Sequence, residues 1–269
     1  MKKRIEVILV CILLLVSSLV IVLPVESVKS SGNTLYVGGS GPGNYTRIQD
    51  AINNASDGDT IYVYSGIYFE DVKINTSIVL QGEDKESTII HGGGFGSGDG
   101  VVIVYADNVE ITGFSVRNSC TQWPGSGIRL HSNEQCIVTD NIVSDCFLGV
   151  SIFIVSDAII NMNTVSDCEM GIHVQASKRN TITRNTMQDN HYGMYLNGAY
   201  FNEITENNFI NNSRHFDFYG AFLNTIDSNY WERLVNIGPK PLFGILFLFL
   251  PIPWLIFDWH PAKEPYDIL

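Results

Sequence analysis

The chain has 269 residues, with 16 Lys+Arg against 28 Asp+Glu and a formal net charge of −12. It is 45 % hydrophobic and only 16 % charged, so it carries enough apolar material for a sizeable core and is not a disordered tail. A chain this acidic has no general attraction for phosphate backbones, which argues against nucleic acid as its partner.

Lys2, Lys3 and Arg4 precede an apolar run from Val7 to Leu23, closed by Pro24. Residues 1–28 therefore read as a signal peptide or an N-terminal membrane anchor, and either one places the body outside the cytoplasm, secreted or at the cell surface. Residues 34–57 read as an N-terminal loop followed by a helical cap. Within it, Thr46 to Asn54 carries Ile48, Ala51 and Ile52 on one face, with Thr46 as the N-cap and Gly58 beyond the end. Strand-like alternation starts at Thr60–Val63 and returns at Asp71–Ile74 and Ser77–Leu80. A later coil opens at Gly100, and 27 residues separate that Gly from Gly127, so about five residues are inserted around Thr121 to Gly125.

From Gly127 onward the chain repeats itself. Gly127, Gly149, Gly171 and Gly193 are spaced by 22, as are Asn141, Asn163, Asn185, Asn207 and Asn229. An apolar residue sits three before each of these Asn (Val138, Ile160, Ile182, Ile204, Ile226) and another two after (Val143, Val165, Met187, Phe209, Trp231). Each repeat alternates apolar and polar residues in three short runs separated by Asn, Asp, Ser and Gly, and none has room for a helix. Three short strands per 22 residues, stacked without slippage, describe a right-handed parallel β-helix. About eight coils fit between residues 58 and 231, giving a rod near 40 Å long. The Asn column is expected to stack as an amide ladder and to supply the positive-φ corner. Residues 232–269 read as a closing segment in which the apolar run 242–257, interrupted by Gly244, Pro251 and Pro253, forms a flap over the core end, with a membrane-interface contact as the alternative.

Tyr45-Thr46-Arg47-Ile48-Gln49-Asp50-Ala51-Ile52, then Gly58-Asp59-Thr60-Ile61-Tyr62-Val63 and Gly66-Ile67-Tyr68, resemble the opening of right-handed β-helix proteins of the NosD-type, pectate-lyase-like superfamily. The 22-residue coils with Ile-Thr-x-Asn cores resemble NosD-type repeats, and Phe257-Asp258-Trp259-His260-Pro261 looks like their closing module. The resemblance implies a β-helix and export. The family name implies copper handling, while related domains bind or cleave polysaccharides, and fold alone does not choose among these.

The first strand of each coil presents two outward columns. One is Arg129, Ser151, His173, Tyr195 and Asp217; the other is His131, Phe153, Gln175, Asn197 and Tyr219. Aromatic rings stack on sugars, and the polar members can hydrogen-bond hydroxyls or carboxylates, so these columns are the candidate ligand face. The bland alternative is a solvated sheet face. A glycosidase wants two carboxylates about 5–10 Å apart, and only Asp217 on these columns is acidic. The acidic column Asp145, Asp167, Asp189 is a weak Ca²⁺ candidate and reads more simply as turn chemistry. Copper wants His, Met and Cys together, and no such group is evident, so copper rests on the family name alone. Four Cys follow the leader, Cys120, Cys136, Cys146 and Cys168. The last two stack one repeat apart, as a buried thiol ladder more readily than a disulfide.

Three functions stay open. The first is an exported cell-surface β-helix that binds polysaccharide or builds the cell envelope. The second is a polysaccharide lyase, epimerase or hydrolase, and the third is a NosD-like copper accessory protein. Membrane contact is expected, if anywhere, through residues 5–23 and 242–257.

Overall fold

The computed structural model describes residues 32–93, 99–232, 239–247 and 251–268. The leader expected over 1–28 lies outside them, and no described helix is long and apolar enough to cross a membrane. The chain winds as a right-handed parallel β-helix with three sheets. Sheet I stacks nine strands from Thr34–Val37 to Thr225–Asp227. Sheet II stacks eight, from Gly66–Phe69 to Tyr230–Trp231. Sheet III runs from Val72–Ile74 to Arg214–Tyr219 and ends in an antiparallel hairpin, Lys240–Phe247 and Pro251–Asp258.

The register follows the repeat. Val138, Ile160, Ile182, Ile204 and Ile226 stack in sheet I, and Val143, Val165, Met187, Phe209 and Trp231 in sheet II. Ile128, Val150, Ile172, Met194 and Phe216 complete the triangle in sheet III. One coil cannot cover its own apolar face, so stability comes from stacking one rung on the next. Sheet I implies nine turns, against the eight expected. The extra one comes from Thr34–Val37, which pairs with Thr60–Val63 as a first rung before the helix is made. The only signal for it is the likeness of Thr34-Leu35-Tyr36-Val37 to Thr60-Ile61-Tyr62-Val63, at a spacing of 26 and not 22.

The cap helix spans Ile48–Asn53 and buries Ile48, Ala51 and Ile52, the face read from the sequence. Its N-terminus is not capped by Thr46. The cap position is Arg47, whose side chain makes no capping bond, and the carboxylate of Glu70 accepts from Ile48 N at 2.8 Å and Gln49 N at 3.1 Å. A buried carboxylate satisfies two orphan N–H groups and favours the positive end of the helix, which a Thr hydroxyl cannot match. Glu70→Ala is therefore expected to lower stability by roughly 1–2 kcal/mol, whereas Thr46→Ala stays within about 0.5 kcal/mol. Urea unfolding of both variants checks the contrast.

The Asn column forms the expected ladder, each side chain bonding the next: Asn141 Nδ2 to Asn163 Oδ1 at 3.1 Å, Asn163 to Asn185 at 3.0 Å, Asn185 to Asn207 at 3.0 Å and Asn207 to Asn229 at 3.0 Å. These Asn do not supply the positive φ. That falls to the residue before each: Asp140, Met162, Arg184, Glu206 and Ser228, all with φ between 54 and 59°. The corner turns there with its side chain outward, so that the following Asn points in. Two further ladders, Asn180–Asn202–Asn224 and Asn190–Asn212, hold the other corners.

At the far end Asp258, fully buried, replaces the next ladder amide. Its carboxylate accepts from Ser228 N, Asn229 N, Asn229 Nδ2, Trp231 Nε1 and His260 N. Trp231 lies flat on Phe209, with ring centroids 4.2 Å apart, and closes the core. The described parts of the apolar run lie in Lys240–Phe247 and Pro251–Asp258, which pair as a hairpin that extends sheet III. Leu242 and Leu246 turn inward, while Phe243, Trp254 and Leu255 are exposed.

Candidate ligand-binding site

Sheet III carries both columns read from the sequence, in register. Arg129, Ser151, His173, Tyr195 and Asp217 follow one another rung by rung, and His131, Phe153, Gln175, Asn197 and Tyr219 run beside them. All point away from the core, because Ile128, Leu130, Val150, Ile152, Ile172 and Val174 take the alternate inward positions. The first three rungs of the first column are nevertheless not a solvated face, whereas the other column residues are half-buried and Tyr219 is exposed. Arg129 is 8 % exposed and His173 only 2 %, and Ser151 is buried as well.

The cover is the insertion between Gly100 and Gly127. It carries Trp123 over the column, edge-on to the His173 ring at 5.4 Å and to the Phe147 ring at 6.3 Å. Phe153 closes the other side, 5.4 Å from the Arg129 guanidinium. Below, Tyr195 stacks on His173 at 5.9 Å, and Tyr192 meets Tyr195 edge-on at 5.9 Å. The result is an aromatic-walled recess with a cation inside.

Among the described residues that cation has no salt-bridge partner. Nε and Nη1 of Arg129 find no hydrogen-bond partner, nor does Nδ1 of His173 or Oε1 of Gln175. The acidic member of the column, Asp217, stands four rungs away, about 19 Å at the usual strand spacing. It is already bound to Arg214 Nη1 at 3.0 Å and to Phe218 N at 2.8 Å. Burial, reinforced by the Arg129 charge, pushes His173 down to about 4, so its ring is neutral at physiological pH. Burial and the same Arg129 also lower His131. Burial first, then the charge of Asp217, raises Tyr195. A buried, unpaired guanidinium beside a neutral imidazole is built to accept an anion, and its planar fork suits a carboxylate.

The neutral His173 makes stability depend on pH. Its folded pKa lies below the unfolded value near 6.5, so its contribution is complete above that value and is lost as pH falls toward 4. Up to about 3 kcal/mol should disappear across that window, and His173→Gln should flatten that part of the pH–stability curve. Thermal melts at a series of pH values check this.

The other sequence candidates do not converge on a metal. Asp145, Asp167 and Asp189 are exposed at positive-φ corners, with φ of 55, 55 and 56°, where Asp serves the turn. Among the described residues no group of three or more His, Cys, Asp and Glu could hold a metal ion. The copper implied by the resemblance finds no soft donor set there either. Met187 and Met194 are core residues, and His131, His173, His191 and His215 sit apart. Cys120, Cys136, Cys146 and Cys168 are free thiols, of which the last three are buried. Cys146 and Cys168 each donate to a main-chain oxygen two residues back, at 3.1 Å. Burial pushes Cys136 up to about 11, and contact with Cys146 together with burial holds Cys168 protonated.

Sequence reasoning found both columns but missed the burial of Arg129, Ser151 and His173 and two of the flanking rings, Phe147 and Tyr192. The long Gly100–Gly127 interval was the signal for the cover.

A family model described as periplasmic copper-binding protein (NosD) matches residues 29–239. A cell surface glycoprotein of Methanothermus fervidus is 30 % identical over 106 residues, which are 39 % of this chain and 16 % of that protein. The chain thus spans under a fifth of that relative's length. Among solved structures, the ORF18 protein of Geobacillus virus E2 aligns with TM-score 0.54 and 18 % identity, over 68 % of this chain and 47 % of its own. The catalytic domain of an α-1,3-glucanase, solved with tetrasaccharides, aligns with TM-score 0.58 and 15 % identity, over 78 % of this chain and 42 % of its own. Such likenesses show the fold. The repeats, the three-sheet coil and a family match over most of the length agree, and the chain belongs to the NosD family of right-handed parallel β-helix proteins.

Proposed function

We propose that the protein works outside the cytoplasm, at the cell surface, and binds an acidic polysaccharide along the outer face of sheet III. The observation that carries this reading is Arg129, a buried guanidinium whose Nε and Nη1 have no partner. Burying a charge without a counter-ion is costly, and a ligand carboxylate offsets the cost while making bidentate hydrogen bonds. Trp123, Phe153, Tyr192 and Tyr195 offer ring faces and edges on which pyranose rings can pack. The surface location is supported by the family and by the name of the Methanothermus fervidus relative.

Binding is favoured over cleavage because, among the described residues, the two columns carry no pair of carboxylates. Asp217 is the only acid on the two columns, and it is engaged by Arg214. The test is incubation of the protein with a polyuronate and with a neutral glucan, reading retention and new chain ends from the same tubes. Retention on the polyuronate without new ends supports the proposal. New chain ends would make the protein an enzyme, and equal retention on both polymers would remove Arg129 from the recognition.

A further inference from the structure

The end of sheet III contains a second, separate feature. Strand Arg214–Tyr219 meets strand Lys240–Phe247 in register only at Tyr219 and Ile245, with Gly220 N bonding Ile245 O at 2.7 Å. Toward their other ends the two strands splay. The gap is a cavity of about 320 Å³, lined by Arg214, His215, Phe216 and Asp217 on one side and by Lys240 and Leu242 among the residues opposite.

Most polar side chains on this wall are engaged. Arg214 holds Asp217, and Asp217 also accepts from Phe218 N. His215 has Glu232 O at one ring nitrogen, 3.1 Å away, and the Asn212 amide at the other, 3.4 Å away. Lys240 differs. Its Nζ lies 3.9 Å from the centroid of the buried Trp231 ring. Its cross-strand partner in the hairpin is Asp258, whose carboxylate is already filled by backbone and indole donors.

We propose that Lys240 is a carbonyl-reactive amine that condenses with a small aldehyde entering this cavity. The Nζ lone pair adds to the carbonyl carbon, and the carbonyl π electrons move onto oxygen. Nitrogen gives up its protons, the oxygen departs as water, and one amine plus one aldehyde become one imine plus one water, with no change of oxidation state. The setting is one that activates lysine: an apolar, partly closed site with no hydrogen-bond acceptor turned on the amine among the described residues. The charged or titratable groups around it are Asp258 across the hairpin, Arg214, His215 and Asp217 across the cavity, and Glu232 beside Trp231. Burial outweighs the pull of Asp258 and brings Lys240 down to about 7. The free-base fraction near neutrality then exceeds that of an ordinary lysine by about three orders of magnitude, tempered by lower intrinsic basicity. The idea is independent of the acidic-polysaccharide reading.

The test treats the whole protein with glycolaldehyde and cyanoborohydride near neutral pH and maps the reduced adducts by peptide mass spectrometry. Lys240 should be labelled at least about 10-fold faster than the exposed Lys73 and Lys263, with a rate that levels off above its pKa. Labelling of Lys240 no faster than Lys73 would overturn the proposal, and this comparison needs no variant. Lys240→Met removes the amine and keeps an apolar stem against Trp231. It should abolish that one adduct while leaving the other adducts and the melting temperature unchanged.

Discussion

Asn185→Ala should cost on the order of 4 kcal/mol, enough to threaten the fold. Asn185 is fully buried in the middle of the first ladder. Its Nδ2 donates to Ile160 O at 2.8 Å, Thr183 O at 3.1 Å and Asn207 Oδ1 at 3.0 Å. Its Oδ1 accepts from Asn163 N and Asn163 Nδ2, at 3.1 and 3.0 Å. Alanine strands Asn163 N where water cannot reach, and it also takes one acceptor from Asn163 Nδ2 and one donor each from Ile160 O, Thr183 O and Asn207 Oδ1, at about 1–3 kcal/mol for a buried group left unpaired. Asn185→Asp should be no better, because it restores the acceptor but puts a second acceptor against Ile160 O and buries a charge. The neighbouring Arg184 is the control. It is exposed at φ 54°, so Arg184→Gly should leave stability unchanged or raise it by up to about 1 kcal/mol. Urea unfolding of the three variants decides. Similar losses at 184 and 185 would mean that the ladder is not what holds the corner.

Arg129→Met is expected to act in opposite directions on stability and on binding. Removing a buried charge that has no partner should leave the melting temperature unchanged or raise it, because a flexible apolar side chain fills most of the same space. The same change should weaken binding of an acidic oligosaccharide by about 100-fold, the loss expected when a buried carboxylate–guanidinium pair is broken. A residue kept only for packing or for a structural hydrogen bond would lose stability instead, and binding would follow only through unfolding. Trp123→Ala separates the cover from the cation. It should weaken acidic and neutral oligosaccharides alike by removing a ring from the recess, whereas Arg129→Met should penalise only the acidic one.

Much of this architecture is legible in the residues because a solenoid is nearly one-dimensional. Gly127 to Gly193 and Asn141 to Asn229 state the period, and the period sets the register of every strand between them. The signal weakens where a partner lies outside the repeat. Thr34–Val37 adds a turn that the 22-residue period does not reach; its copy, Thr60–Val63, lies 26 residues on with the cap helix between them. Glu70 replaces Thr46 at the helix N-terminus because the winding of the chain brings a carboxylate from about one coil downstream onto Ile48 N and Gln49 N. Asp258 ends the Asn ladder from a segment that shares none of the repeat. The outward columns were also legible, since alternation along a strand fixes which residues leave the core. Their burial was not, because it depends on how the few residues around Trp123 fold back over His173. Repeat spacing reports that a loop is present, not where its tip comes to rest.

The most direct measurement is equilibrium binding of an oligouronide and of the same oligosaccharide with its carboxyl groups reduced to alcohols. Ring shape and most hydroxyls are shared, so the difference isolates the carboxylate. If Arg129 is the recognition element, the reduced ligand binds roughly 10- to 100-fold more weakly to the native protein, and Arg129→Met erases the difference. Equal affinity of the native protein for the two ligands would contradict the assignment of this recess to an acidic sugar.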